Sequence, residues 1–232
     1  MASEVLDNPV WSSLHGQHTG LAELAGADGA RAGRFKRDVS PFGALEDPDN
    51  PACWAALSSL LDGHAICVLV DPEAVPADWK IVMAIPGVQM DGRGLEPAEE
   101  PDAVSLTGAD VPEILALIER TRPGPYLPRT VEMGRYIGIR DDGGALVAMA
   151  GERLHPTGWT EISAVCTDAE HRGRGLGTRL TRAVAHGIRA RDEVPFLHAA
   201  ADNVNAIRLY EALGFTLRRT CSFTIVKQDG GR

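Results

Sequence analysis

The stretch that most constrains this chain runs from Cys166 to Thr178, CTDAEHRGRGLGT. Before it, Trp159 to Thr167 is rich in strand formers. After it, Leu176, Leu180, Ala183, Val184 and Ile188 recur with helical spacing and keep one face dry. The local order is therefore strand, glycine loop, helix N-terminus. Gly173, Gly175 and Gly177 let the main chain turn its N–H groups outward with no Cβ in the way. The helix start adds unpaired N–H groups and roughly half a positive charge. A bend of this kind cradles an anion, and a phosphate or diphosphate suits it best.

Two common phosphate loops do not match. A Walker loop carries Lys and then Ser or Thr after its last glycine. Here Gly177 is followed by Thr178 and Arg179. The dinucleotide fingerprint is GxGxxG with an acid about 20 residues later. This loop reads GxGxG and has no such acid.

Net charge is −9, which argues against a nucleic-acid partner. Around the loop the balance reverses: His171 to Arg191 holds Arg172, Arg174, Arg179, Arg182, Arg189 and Arg191 and no acid. Arg172 and Arg174 lie in the loop and are the phosphate candidates. Arg182 and Arg189 read as a solvated helix face. MASEVLDNP has neither a basic region nor an apolar run, so no signal peptide is expected. No apolar run approaches the roughly 18 residues of a membrane span. Cys53, Cys67, Cys166 and Cys221 form no CxxC and read as reduced core residues of a cytoplasmic protein. The histidines show no metal-ligand spacing, and no metal is expected.

Taken in order, Asn8-Pro9 starts a helix, with Trp11, Leu14, Leu21 and Leu24 as a candidate buried face. A strand is expected around Phe35 to Val39, a helix over Pro51 to Leu61, and strands over Ala65 to Val70 and within Trp79 to Met90. Residues 91 to 102, DGRGLEPAEEPD, read as a linker or exposed crossing. They divide an N-terminal α/β region, 1–102, from a second domain, 103–232. In the second part, a helix starts near Asp110, and Tyr136 to Arg140 and Ala145 to Leu154 form a hairpin that leads into Trp159 to Thr167. Beyond the long helix come a strand at Pro195 to Ala200, a helix at Asn203 to Leu213, and an alternating strand at Phe215 to Lys227.

The loop RGRGLG after a strand, with Asn203, Ala206, Leu209, Tyr210, Gly214 and Phe215 downstream as NxxAxxLYxxxGF, resembles the GNAT superfamily of acyl-CoA-dependent N-acyltransferases. Within it, the FR47-like branch is the most similar, over about residues 103 to 228. The resemblance implies an α/β (α+β) GNAT fold: a central mixed, mostly antiparallel sheet with flanking helices. The N-terminal region is then an accessory, either a degenerate second copy of that fold or a wall on the substrate side. The implied reaction is transfer of an acetyl group from acetyl-CoA to a primary amine, on a small molecule or a peptide, by direct attack on the thioester. A non-catalytic acyl-CoA-binding module is the alternative, and an unrelated phosphate-ligand binder is a third reading.

By register with the family motifs, Val165, Cys166 and Thr167 pair with the pantetheine arm. Arg172, Gly173, Arg174, Gly175, Leu176, Gly177 and Thr178 surround the pyrophosphate. Asn203 holds the pantetheine, although it is also a good helix cap. Tyr210 matches the tyrosine that protonates the leaving thiolate; a core ring is the structural alternative. For the base, Glu161 matches a glutamate of some histone-type members. Strand alternation puts it on the face of Val165, where partial burial would raise its pKa. His198 is the rival base. A solvent-exposed carboxylate and a hydrogen-bonded core histidine are the respective alternatives. Tyr126, in the proline-rich Thr121 to Pro128, is a substrate-contact candidate or a ring packed on prolines.

Overall fold

The computed structural model describes residues 4–27, 30–61, 66–72 and 74–228. In chain order its elements are α1 (Pro9–Leu14), β1 (Ala22–Ala27), β2 (Ala30–Phe35), β3 (Gly43–Leu45), α2 (Pro51–Leu60), β4 (Ile66–Val70), β5 (Trp79–Asp91), β6 (Val104–Leu106), α3 (Val111–Thr121), β7 (Tyr136–Arg140), β8 (Leu146–Glu152), β9 (Trp159–Thr167), α4 (Leu176–Arg189), β10 (Val194–Ala200), α5 (Val204–Ala212) and β11 (Thr216–Gln228). Local chemistry sets the helix starts. Asn8 and Asn50 accept main-chain hydrogen bonds ahead of Pro9 and Pro51, and Asn203 does the same for α5.

Among the described residues the main sheet has eight strands, in the order β4-β11-β5-β10-β9-β8-β7-β6. Its pairs are antiparallel except β9 and β10, which run parallel. A second, three-stranded sheet joins β1, β2 and β3. The amphipathic helix α4 buries Leu180, Val184 and Ile188 against Ile139, Ala148 and Ile162 of the main sheet. This is the mixed, mostly antiparallel sheet with flanking helices that the sequence leads one to expect.

The division expected at 91–102 does not divide that sheet. β5 lies on the N-terminal side of the boundary, yet it is hydrogen-bonded between β10 and β11. β4 covers the far edge of β11. The physical reason is the length of β11: thirteen residues of strand expose two ladder edges, and N-terminal segments fill both. Nor is 91–102 a loose crossing. Arg179 forks onto Glu100, with both bonds at 2.6 Å, and reaches Asp102 at 2.7 Å. Arg182 donates to the carbonyl of Glu96, and Arg189 to those of Gly92 and Arg93. Arg182 and Arg189, expected on a solvated face, therefore strap this segment along α4, with Leu95 buried beneath.

Two further expectations shift. The first strand of the small sheet starts after a short first helix, so Leu24 is exposed rather than on a buried face with Leu14. The strand expected at Phe35 to Val39 ends at Phe35, because the chain turns there to reach β3. No helix among the described residues is long and apolar enough to cross a membrane.

The N-terminal segment is pinned to the core through histidine. His18 is buried, and its Nε2–H donates to the carbonyl oxygen of Met133 at 2.8 Å. Its ring meets that of His155 edge-on at 5.0 Å. Burial pushes the His18 pKa down to about 4 and lowers that of His155 as well. The unfolded chain therefore binds more protons than the folded one between the unfolded value near 6.5 and the folded value. Stability is complete above that window and falls as pH drops through it. Urea unfolding should lose on the order of 3 kcal/mol through His18 between pH 7 and pH 4. His18→Leu should flatten that slope.

Candidate active site

The site begins where two parallel strands part. β9 and β10 are in register only at Trp159↔Val194, Thr160↔Pro195 and Glu161↔Phe196. Beyond this point β10 stays with β5, from Leu197↔Met90 to Ala200↔Gly87. β9 stays with β8, through Cys166↔Met149 and Thr167↔Ala148. A bulge lies on the opening edge: the register shifts between Met149 and Gly151, and Ala164 takes φ 52°. The parted strands wall a cleft of about 850 Å³, with Ile162, Ser163, Ala164 and Val165 on one side and His198, Ala199 and Ala200 on the other. Asn203, Ala206 and Tyr210 line it on the α5 side. Phe42, Val68, Ile85, Phe223 and Ile225 line it on the side of β4, β5 and β11.

The glycine loop follows β9 directly. Gly173 and Gly175 have φ of 77° and 73°, which L side chains rarely adopt, and a Cβ on either would meet only open space. Conformation, not crowding, demands glycine here. Gly175 is the N-cap of α4, and no acid lies in that helix's first turn. Among the described residues, no protein acceptor takes a hydrogen bond from the main-chain N–H groups of Gly173 to Thr178. Arg172 and Arg174 are exposed, and Arg172 braces the strand end through Nε on the carbonyl of Thr167 at 3.3 Å. Asn203 caps α5 through its side-chain oxygen on the Ala206 N–H at 3.2 Å, which leaves its NH₂ free of that task.

The two candidate bases meet each other. Glu161 is fully buried. Its oxygens accept from Arg153 Nε at 2.8 Å, from Arg153 Nη2 at 2.6 Å and from His198 Nδ1 at 2.7 Å. Burial alone would raise its pKa, but the charge and hydrogen bonds of Arg153, with the His198 hydrogen bond, hold it down at about 2. The expected raised pKa is therefore corrected. So is its expected face: Ile162 and Val165, three residues apart, both pack into the α4-side core. Alternation changes phase at the bulge, and Glu161 ends opposite Val165.

The proton on His198 can be placed from its partners. Gln89 Nε2 lies 2.9 Å from the carbonyl oxygen of Leu6 and 3.0 Å from His198 Nε2. Gln89 Oε1 accepts from Arg218 Nη1 at 2.7 Å. Leu6 O only accepts and Arg218 only donates, so the amide orientation is fixed. His198 Nε2 therefore accepts, and Nδ1 carries the hydrogen to Glu161. Arg153, Gln89 and Arg218 were not legible in the sequence, since a lone polar residue inside a strand run gives no spacing signal. Arg218 reaches Gln89 because β11 has a register shift between Leu217 and Arg219.

Tyr210 is buried against the cleft and stacks edge-on with Phe215 at 5.7 Å. Burial pushes its phenol up to about 12, so it is protonated at neutral pH. Cys166 is buried on the far side of the strand, and burial pushes its thiol up to about 11, which disqualifies it as a nucleophile. Tyr126 belongs to the core: its ring packs edge-on against Tyr136 at 5.4 Å and does not line the cleft. The neighbours Pro125 and Leu127 do. Among the described residues, no cluster of His, Cys, Asp and Glu is arranged to hold a metal ion.

A solved GNAT-family protein from Novosphingobium aromaticivorans is 41% identical, with a TM-score of 0.85 over 97% of this chain and 99% of that one. The chain belongs to the GNAT family. The FR47-like family model matches residues 136–224 of this GNAT protein, from β7 into β11. A mycothiol acetyltransferase from Beutenbergia cavernae is 30% identical over 211 residues, covering 87% of this chain and 62% of the relative. The N-alpha-acetyltransferase RimI of Mycobacterium tuberculosis is 39% identical over 83 residues, 34% of this chain and 51% of its own. The chain spans between 26% and 62% of the length of the mycothiol acetyltransferases it matches.

A buried carboxylate with two charge-assisted partners cannot lose its charge without orphaning a cation. Glu161→Gln should therefore lower stability by about 3–5 kcal/mol in urea titration. Replacing the pair together, Arg153→Met with Glu161→Leu, should recover most of that loss.

Proposed function

We propose that this GNAT protein transfers an acetyl group from acetyl-CoA to a primary amine by direct attack on the thioester. The observation that carries the reading is the row of unpaired N–H groups from Gly173 to Thr178 at the end of a strand that has left its neighbour. An anion bound there costs no existing hydrogen bond and gains the field of the α4 N-terminus. In this reading Arg172, Gly173, Arg174, Gly175, Leu176, Gly177 and Thr178 hold the pyrophosphate. The pantetheine lies along Val165, Cys166 and Thr167, with the NH₂ of Asn203 within its reach. Holding the thioester beside the amine removes much of the entropic barrier.

Tyr210 is the proposed acid. Its phenol is protonated at neutral pH and lines the same cleft as Val165. It donates to the departing sulfur as the C–S bond breaks. Glu161 and His198 serve this site as a positioning pair: their hydrogen bond ties β9 to β10 at the point of parting. The apolar chamber formed with β4, β5 and β11 has no use in a protein that only binds CoA, which favours turnover over a non-catalytic module.

Calorimetry with CoA tests the cradle: Gly175→Glu should abolish binding, because it adds both a strained Cβ and a negative charge. Unchanged affinity would overturn the reading. Thiol release from acetyl-CoA tests the acid. Tyr210→Phe should lower kcat on the order of 10²-fold with little change in KM for acetyl-CoA.

A further inference from the structure

Among its described residues the cleft offers an incoming amine few groups that could take a proton. Its charged and titratable lining, among the described residues, consists of Arg122, Arg153, His198, Asp202 and Tyr210, with Glu161 behind Arg153. Arg122 and Arg153 are cations. Both oxygens of Glu161 are occupied, and its side chain is fully buried. The one lone pair of His198 that could act as a base accepts the Gln89 amide, and the imidazole is 1% exposed. Tyr210 is assigned to the sulfur. Asp202 sits in an exposed turn before α5, open to water. The strands β4, β5 and β11 contribute Val68, Ile85, Phe223 and Ile225, none of which titrates.

An ammonium ion has no lone pair with which to attack a carbonyl. In this chamber it would also meet apolar walls and two guanidinium groups, and the Asp202 carboxylate lies in an exposed turn, open to water. From this arrangement, and resting on the acetyl-transfer reading above, we infer that the acceptor is a small apolar primary amine of low basicity that enters the cleft uncharged. No side chain among the described residues removes its first proton; bulk water does so before binding. The step then balances by itself. The nitrogen forms its bond to the carbonyl carbon, the C–S bond breaks, and one N–H proton ends on sulfur, with the Tyr210 hydroxyl passing it on. Amide and thiol leave with no proton drawn from solvent. An α-amine, with a pKa of about 7.7–8.0, is roughly a third uncharged near pH 7.5, whereas a lysine-like alkylamine near 10.4 is uncharged about once in a thousand.

The test compares two probes with the same ring: phenylalanyl-alanine amide, which carries an α-amine, and 2-phenylethylamine, a stronger base. Thiol release from acetyl-CoA gives kcat/KM for each from about pH 6 to about pH 10. Each profile should rise tenfold per pH unit and level at that amine's own pKa. The α-amine should be favoured roughly 10²-fold near pH 7.5. Asp202→Asn should leave both inflections where they are. Two profiles that level at one shared pH below either amine's pKa would reveal an enzyme base and overturn the inference, as would a shift of the inflection in Asp202→Asn. CoA binding by calorimetry reports on the cofactor reading separately. Firm CoA binding with turnover confined to polar, strongly basic amines overturns the acceptor inference and leaves the cofactor reading standing.

Discussion

The site depends on a ladder that stops. Two parallel strands in register ordinarily continue to pair, since each further residue satisfies main-chain groups that would otherwise lack partners. Here pairing ends at Glu161 and Phe196. The side chain of Glu161 crosses to His198, two residues past its strand partner, and Arg153 completes the carboxylate's coordination. The bulge at Ala164 turns the next stretch of β9 aside. A buried ion pair adds little net stability, because desolvation offsets attraction. Its effect lies in what it forbids. Closing the strands over one another would disturb the hydrogen bonds that hold Glu161, Arg153, His198 and Gln89 together.

Charge is sorted across the molecule with similar economy. The chain carries a net −9, yet the first turn of α4 carries no acid. Among the arginines of α4, Arg179, Arg182 and Arg189 are engaged with the 92–102 segment. That leaves Arg172 and Arg174, ahead of the helix, as the exposed cations beside the unpaired N–H groups. The strap therefore does more than cover α4. It pairs two acidic side chains, the buried one of Glu100 and the exposed one of Asp102, with Arg179.

Legibility in the sequence followed the range of the interaction. The strand, glycine loop and helix were readable because glycine at 173 and 175 and the apolar repeat of α4 are local matters of backbone conformation and face. Asn203 and Tyr210 came from a motif of fixed spacing, and both line the cleft. Glu161 and His198, both singled out in the sequence, meet in one hydrogen bond, but the partners that set their protonation were not readable. One bulged residue reversed the strand's alternation, and partners from β5, β8 and β11 settled which lone pairs remained. Position 89, inside an apolar run, gives no hint that its amide fixes a tautomer a hundred residues away. That β4 and β5, before the boundary at 102, join the main sheet was hidden for the same reason: composition marks where a chain is polar, not which strand fills an edge.

The placement of β5 also sets an order of assembly. Its neighbours in the sheet, β10 and β11, are made more than a hundred residues after it begins, and β5 bridges them. Until they emerge from the ribosome, a thirteen-residue apolar ribbon waits with both edges bare. Loop closure over such separations is slow. During synthesis the segment that later locks the sheet is thus a bare-edged strand, the kind of element that favours aggregation until it is paired.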